Sequence, residues 1–597
     1  MKIFRNPITR ITAAIRPAAW WLALSFCPLA STGAEMAATG QREGTDGQVA
    51  IECIERMPNI PQPFRMLDWK QRTLDFDAMA FDTNRHDGLP PLVWTDRARR
   101  NFDEDAFGLY TSAWERRGGP EQHGGEYHEA INTLGAVLGA SLVGINKSDQ
   151  HGRNWVSMCR NYFNAANGWN IVMNFTSERM APYGGGYGKD FWYDVYPNIL
   201  FFQLVDRYPQ VAGFDKLVRT SADQMDRAVR VLKESAKGFR YTSFDFAKMQ
   251  PMQNKENPNW VEPDCAAGFA WLLYAAHQRY GDAKYLESAE IAMRALLTEK
   301  KNPYYEVLMP FGAGTAARMN AELGRHYDTG KLVNWCFAGD TPARGGDWGA
   351  VVGRWGEYDV SGLIGDRQRV FAMNTFDTAS ALLPLVRYDQ RFARAVGKWM
   401  LNAANAARLF YPDEMPNQYQ AAPELKSLVS SAVAYEAISP NRKGQPIFAD
   451  RDDWGAGTWG PPARETVANF TLYGSAHVGL FGATLARTSE EKILQLDCLK
   501  TDFFRGGAYP THLYFNPHNE DKQVDIEVGA QPADLYDTVA HAFLARAVQG
   551  RASLRIPGDS AVVIVRTPVS GKITRRGNQM MVSGVVVDYR NDKNEEK

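Results

Sequence analysis

Three groups of carboxylates set beside aromatic rings are the parts of this sequence able to do chemistry. In the first, NPNWVEPDCAAGFAWLLYAAHQRYGD (257–282), Glu262 and Asp264 flank Pro263, with Trp260 two residues before. In the second, GGDWGAVVGRWGEYDVSG (345–362), Asp347, Glu357 and Asp359 lie among Trp348, Trp355 and Tyr358, and Arg354 offers a contact for hydroxyls or carboxylates. The third joins His123, Glu126, His128 and Glu129 to Tyr187, Asp190, Trp192, Tyr193 and Asp194. Paired carboxylates near aromatic walls are what glycosidic-bond hydrolysis requires. One protonates the leaving oxygen, the other activates water or attacks carbon, and apolar walls raise the acid's pKa.

Glu262 is the first choice for the acid, because Trp260 flanks it, Pro263 stiffens its backbone and the helix after it fixes its position. Asp264, Asp347, Glu357 and Asp359 complete the catalytic candidates. Substrate contacts are expected from His123, Glu126, Tyr187, Trp192, Tyr193, Trp260, Trp348, Arg354, Trp355 and Tyr358. Each acid also has an ordinary structural reading. Glu262 and Asp264 sit where a helix start takes negative charge, and Asp beside Gly is turn chemistry. The histidine-carboxylate spacing matches no metal site, so neither metal nor cofactor is expected. P-loop, dinucleotide, HExxH and nucleophile-elbow signatures are missing, and the GGGYG run lacks the strand-turn-helix context of a phosphate loop. Two other functions use the same loops. β-Elimination of a uronate would draw on Tyr187 or Tyr193 with His123, Asn198 and Arg354. A non-catalytic glycan-binding protein would use the aromatics alone.

The elements that must position these groups are helices. Apolar residues at helical spacing predict helices over about 126–145, 151–166, 189–208, 214–237, 261–280, 283–299, 313–327, 367–386 and 389–408, often paired across a Gly or Asp, as at Tyr280-Gly281-Asp282. Gly135 and Gly139 offer close packing in the first. The 261–280 segment is apolar almost all round, whereas 283–299 carries Lys284, Glu287, Glu290 and Arg294 on one face. The first pattern belongs to a buried helix and the second to one with a wet side. These patterns predict an inner ring of helices inside an outer ring, with the glycine-rich aromatic loops gathered at one end as a cleft.

These alternating hairpins, over roughly 120–480, resemble the α/α-toroid of carbohydrate-active enzymes, among them glycoside hydrolases and polysaccharide lyases. After about 490 the period changes to short strand-like runs, KILQLDCL, HLYFNP, QVDIEVG, ASLRIPG, AVVIVRT, GKITRRG and QMMVSGVVVDY, bounded by Gly, Pro, Asn and Asp. They predict a small antiparallel β-sandwich, a frequent companion of toroid enzymes. The expected fold is therefore mainly α: a lead-in over 35–120, an (α/α) toroid of helical hairpins over 121–485, and a C-terminal β-sandwich over 486–590. The resemblance implies a secreted enzyme of carbohydrate metabolism that degrades a poly- or oligosaccharide.

Composition agrees with such a partner and argues against others. Lys and Arg total 67 against 68 Asp and Glu, which gives no footprint for nucleic acid or an anionic membrane. The 16 Trp and 25 Tyr fit sugar stacking as well as a large core. Lys2, Arg5, Arg10 and Arg16 precede the apolar run AAWWLALSFCPLA, an export signal with expected cleavage after Ala34 and a periplasmic or extracellular destination. The run is too short for a comfortable membrane span, and Phe26 is a poor neighbour for lipidation of Cys27. Cys53, Cys159, Cys265, Cys336 and Cys498 are widely spaced and odd in number, so at least one thiol stays free.

Overall fold

The computed structural model describes residues 47–85, 91–110, 130–176, 190–255, 257–342, 346–366, 369–420 and 472–591, with short pieces between 423 and 448. All belong to one compact unit, Arg42–Lys597. The expected export segment with Cys27, within residues 1–46, and residues 449–471 and 592–597 lie outside the described residues.

Its main helices are α1 (Trp69–Ala80), α2 (Ala130–Leu142), α3 (Phe191–Arg207), α4 (Phe214–Glu234), α5 (Cys265–Tyr280), α6 (Ala283–Thr298), α7 (Leu308–Leu323), α8 (Thr329–Ala338), α9 (Ala372–Leu382), α10 (Ala393–Ala406) and the short α11 (Val478–Gly482), which comes after a 3-10 turn at Ser475–His477. Several starts and ends have a local cause. Asp68, Asp282 and Asp328 cap α1, α6 and α8 by accepting backbone N–H groups from Gln71, Lys284 and Lys331. Gly281, Gly324 and Gly339 end α5, α7 and α8 in the left-handed conformation.

Helix contacts run in a closed circuit: α2 packs on α3, α3 on α5, α5 on α7, α7 on α9, α9 on α11, and α11 back on α2. The members of this circuit are the apolar ones. Every residue of α2 is buried, as are Cys265–Ala270 at the start of α5. The intervening helices pack from outside, α4 and α6 on α5, α8 on α7, α1 on α11. They keep a wet face: α4 buries Leu217, Val218, Met225, Val229 and Leu232 and exposes Lys216, Lys233 and Glu234. The circuit closes on glycine. A Cβ on Gly139 of α2 would lie 2.9 Å from the Gly479 Cα of α11, so backbone meets backbone there with no room for a side chain.

The C-terminal strands form a six-stranded antiparallel sheet and a three-stranded one. The strands are β1 (Leu485–Arg487), β2 (Leu494–Asp497), β3 (Thr511–Asn516), β4 (Lys522–Asp537), β5 (Ala542–Ile556), β6 (Ser560–Pro568), β7 (Ile573–Arg576), β8 (Gln579–Val582) and β9 (Val585–Asp588). The large sheet runs β1-β2-β3-β6-β4-β5, and β7-β8-β9 form the small one. Leu494, Leu513, Phe515 and Val563 join the same apolar core as the helices, α10 packing on β3 and β6. Tyr536 and Val565 of the large sheet share a second cluster with Met580, Val582 and Val587 of the small one. The described cysteines, Cys53, Cys159, Cys265, Cys336 and Cys498, are buried and form no disulfide with one another. No helix among the described residues is long and apolar enough to cross a membrane.

Candidate active site

The N-terminal ends of the circuit helices are tied to one another by side chains. Asp190 precedes α3 but its side chain makes no capping bond. Glu262, from the entrance of α5, supplies the cap instead: its Oε2 accepts from the Phe191 N–H at 2.8 Å and the Trp192 N–H at 3.4 Å. Asp264 reaches the other way, its Oδ2 accepting from the Tyr305 N–H at 3.0 Å, just before α7. From α9, Asn374 donates through Nδ2 to both the Glu306 carbonyl and its Oε2, at 3.0 and 3.1 Å. Glu262 and Asp264 are each 1% exposed, and Glu306 is half-buried. Three carboxylates therefore stand at two neighbouring helix entrances, Glu262 and Asp264 at that of α5 and Glu306 at that of α7, each bonded to an adjoining element.

Glu306 escapes a reading of the sequence. Its φ of 58° is a left-handed conformation that a glutamate does not choose by local preference, and such residues collect at functional sites. The Asn374 bonds that accompany it come from a residue 68 positions later. A signal was present nonetheless. Tyr304-Tyr305-Glu306 ahead of α7 repeats the aromatic-acid-helix order of Trp260 to Glu262 ahead of α5.

The 345–362 loop divides. Trp348 is buried and joins the rim: its ring stacks on Phe371, the residue before α9, at 5.5 Å and meets Tyr305 edge-on at 5.8 Å. Its backbone N–H donates to the Thr341 hydroxyl. Asp347 beside it is exposed, with φ 47°. The remaining candidates form a small hairpin, Arg354–Trp355 against Tyr358–Asp359. That hairpin docks elsewhere. The Asp359 carboxylate accepts from the Gln62 N–H, its own N–H donates to the Gln62 carbonyl at 2.8 Å, and Arg408 lies 6.0 Å from the Tyr358 ring. Arg354 and Glu357 are exposed, and the Arg354 guanidinium donates to the Glu357 carbonyl. Burial, with Glu357 adjacent, raises the Tyr358 pKa.

In the third group, Trp192 is buried with its ring 3.8 Å from that of Tyr193. Trp260 is half-buried, and its carbonyl accepts from Gln253. Asp194 is fully buried, and burial, reinforced by Asp190 and Asp245, holds its pKa well above the usual carboxylate range. Asn198 brackets the Val172 backbone, donating to its carbonyl and accepting from its N–H. His123, Glu126, His128, Glu129 and Tyr187 lie outside the described residues. No three His, Cys, Asp or Glu side chains among the described residues converge as metal ligands.

Further into the ring lies a polar group that sequence reading also missed. His477 Nδ1 is 2.8 Å from Asp377 Oδ1, both fully buried, and the Tyr196 hydroxyl is 3.5 Å from the same nitrogen. Burial, then the nearby Asp377 carboxylate, drives the Tyr196 pKa well up. A Cβ on Gly135 would sit 2.8 Å from His477 Nε2, so that glycine makes room for the imidazole. Asp377 lies three residues after Asn374 on α9, which joins this buried pair to the rim.

No family profile and no curated protein matches the chain. Similar solved structures include a GH127 β-L-arabinofuranosidase from Geobacillus stearothermophilus T6, at 9% identity over 88% of this chain and 85% of that one, with a TM-score of 0.29. A second is described as a glycoside hydrolase, at 9% identity over 82% of this chain and 84% of that one, with a TM-score of 0.33. Overlap this loose passes neither an activity nor a catalytic residue to this chain.

Proposed function

We propose that this chain is a glycoside hydrolase acting on a poly- or oligosaccharide. Its closed helix circuit is the inner ring of an α/α toroid, and its active site is the N-terminal rim. Glu262, Asp264 and Glu306 form the acid/base set, with Asp347 as a further carboxylate at the edge. Tyr305, Trp260 and Tyr193, all half-buried, provide the stacking surfaces, with the buried Trp348 packed behind Tyr305. The observation that supports this most is the set of three carboxylates on the neighbouring entrances of α5 and α7, next to the Trp348–Tyr305–Phe371 aromatic corner. Glutamates held by neighbouring helices meet the need for groups fixed against the scissile bond, and aromatic walls keep water from the acid. The hairpin residues Arg354, Trp355, Glu357, Tyr358 and Asp359 take an outer substrate-binding role in this reading. Export through the amino-terminal segment belongs to the same proposal.

The test is a polysaccharide panel read for reducing ends and for ultraviolet absorbance, with Glu306→Gln and Glu262→Gln beside the parent. Both substitutions keep an acceptor oxygen for the existing donors, so folding should be retained. Turnover lower by about 10²–10⁴-fold in either variant is expected. Parent turnover with both variants undiminished would remove these acids from the chemistry. Unsaturated, ultraviolet-absorbing products would replace hydrolysis by β-elimination, and binding without turnover would make the chain a glycan-binding protein.

A further inference from the structure

The opposite end of the ring holds a second site of different chemistry. A cavity of about 560 Å³ opens where the C-terminal ends of α2 and α3 meet the turns around β2 and β3. The 17 residues of α3 set it roughly 25 Å from the rim. Four permanent cations line it, Arg207, Lys500, Arg505 and Arg566, together with His512.

One of the four has an evident structural task. Arg207 donates to the Ser141 carbonyl at the end of α2, where a cation offsets the helix dipole. The other three make no close ion pair among the described residues, though Asp206 is near enough to feel the charge of Arg505. The cavity also contains Asp206, Asp497 and Asp502. Asp502 is engaged by Arg387 at 2.8 Å. Asp497 accepts from the Leu499 N–H at 2.9 Å, and Asp206 accepts from the Phe504 N–H at 3.1 Å. Among the described residues no ion pair joins Lys500, Arg505 or Arg566 to any acid. Arg566 donates through Nη1 to the Glu527 and Val528 carbonyls, while its buried Nε has no acceptor. Burial lowers the His512 pKa, the Asp497 carboxylate opposes this, and Arg566 and Lys500 add smaller contributions in the direction of burial.

We propose that this cavity is an oxyanion-binding site, taking a carboxylate, sulfate or phosphate group. With Asp502 taken up by Arg387, the lining keeps four cations against Asp206 and Asp497, an excess of positive charge that a planar or tetrahedral oxyanion offsets while satisfying guanidinium N–H groups. Two sources carry this chemistry, a free inorganic anion and the acidic group of a charged glycan. In the second case the site anchors a polymer away from the rim. The proposal stands whether or not the rim performs hydrolysis.

Isothermal titration calorimetry of the full chain at low ionic strength tests it, with sodium sulfate, sodium phosphate and tetragalacturonate as probes. The comparison is the Lys500→Ala/Arg505→Ala double variant, whose melting temperature verifies folding. Among the described residues neither side chain holds another element in place; Arg505 reaches only the Gly506 carbonyl. Saturable binding weakened by about tenfold or more in the variant is expected. Tighter binding of tetragalacturonate than of the inorganic ions assigns the site to an acidic glycan, and binding of the inorganic ions alone assigns it to a free anion. No saturable binding of any probe, or equal binding by parent and folded variant, overturns the proposal.

Discussion

The two ends of the helix circuit solve opposite electrostatic problems. At the N-terminal end, exposed helix N–H groups are met by carboxylates: Glu262 on α3 and Asp264 on the turn into α7. At the C-terminal end, carbonyls are met by cations. Arg207 meets the Ser141 carbonyl at the end of α2, and Arg318, in the last turns of α7, donates to the Phe503 and Phe504 carbonyls of the turn before β3. Backbone dipoles alone call for this segregation of charge along the ring. An acid at the rim or a base at the floor is therefore unremarkable in itself. What exceeds the dipole's demand is informative: Glu306, held in a left-handed conformation at one end, and Lys500, Arg505 and Arg566, outside any ion pair among the described residues, at the other.

The comparison breaks most visibly at Asp502. Its carboxylate lies 2.8 Å from Arg387 and 3.9 Å from Arg318, with the Tyr388 hydroxyl donating to it, all buried. Asp502→Ala leaves two guanidinium groups in the interior without this acid and should cost about 3–5 kcal/mol, measured by urea unfolding. The rim carboxylates Glu262 and Asp264 accept from backbone N–H groups, and their substitution is expected to cost less.

Next comes Glu262→Ala, which strips α3 of its cap and should cost about 1–3 kcal/mol by the same measurement. Glu262→Gln, still an acceptor, should cost about 1 kcal/mol or less. Equal costs for the two would show that the negative charge, rather than the hydrogen bonds, matters at the rim.

The smallest effect sharpens the contrast. Asp206 is a carboxylate in the last turn of α3, the wrong sign for its position, and burial raises its pKa despite the Phe504 N–H bond. A folded-state pKa above the unfolded value means that the native chain holds a proton the unfolded chain has released. The associated stability is present below the ordinary carboxylate value, near 4, and is lost as pH rises through the folded pKa. Asp206→Asn should accordingly raise stability at neutral pH by about 0.3–1 kcal/mol and flatten the loss above pH 4, as read from melting temperatures across about pH 4–7. A decrease at neutral pH would mean that Asp206 is needed as an anion among its arginine neighbours.

Much of the helical framework was legible because apolar period and capping residues are local. The segments expected at 189–208, 261–280 and 283–299 appear as α3, α5 and α6 with ends shifted by a few residues. The helix expected at 313–327 instead begins at Leu308, and α8 comes after it unforeseen. Gly312 and Gly314 are breakers by propensity, yet Gly312 packs where a Cβ would come within 2.6 Å of the Ala267 Cβ, which is helix contact and no turn. In the candidate site, Trp260, Glu262 and Asp264 stand out in the sequence because aromatic, acid and proline fall together within a few residues. The Trp348 contact with Tyr305 does not, because it depends on tertiary packing. His477 with Asp377 lies further from reach still, since 100 residues separate the partners and neither has a local motif.

The Gly139–Gly479 contact bears on when the molecule can become itself. Its partners are 340 positions apart, so during synthesis α2 emerges long before the segment that completes its packing. Until Ser475–Gly482 arrives, the flanks of α2 and α9 that it will cover remain open, an arrangement exposed to misassembly. Ring closure is thus a late, long-range event, the kind that slows folding through loop entropy rather than through weak contacts.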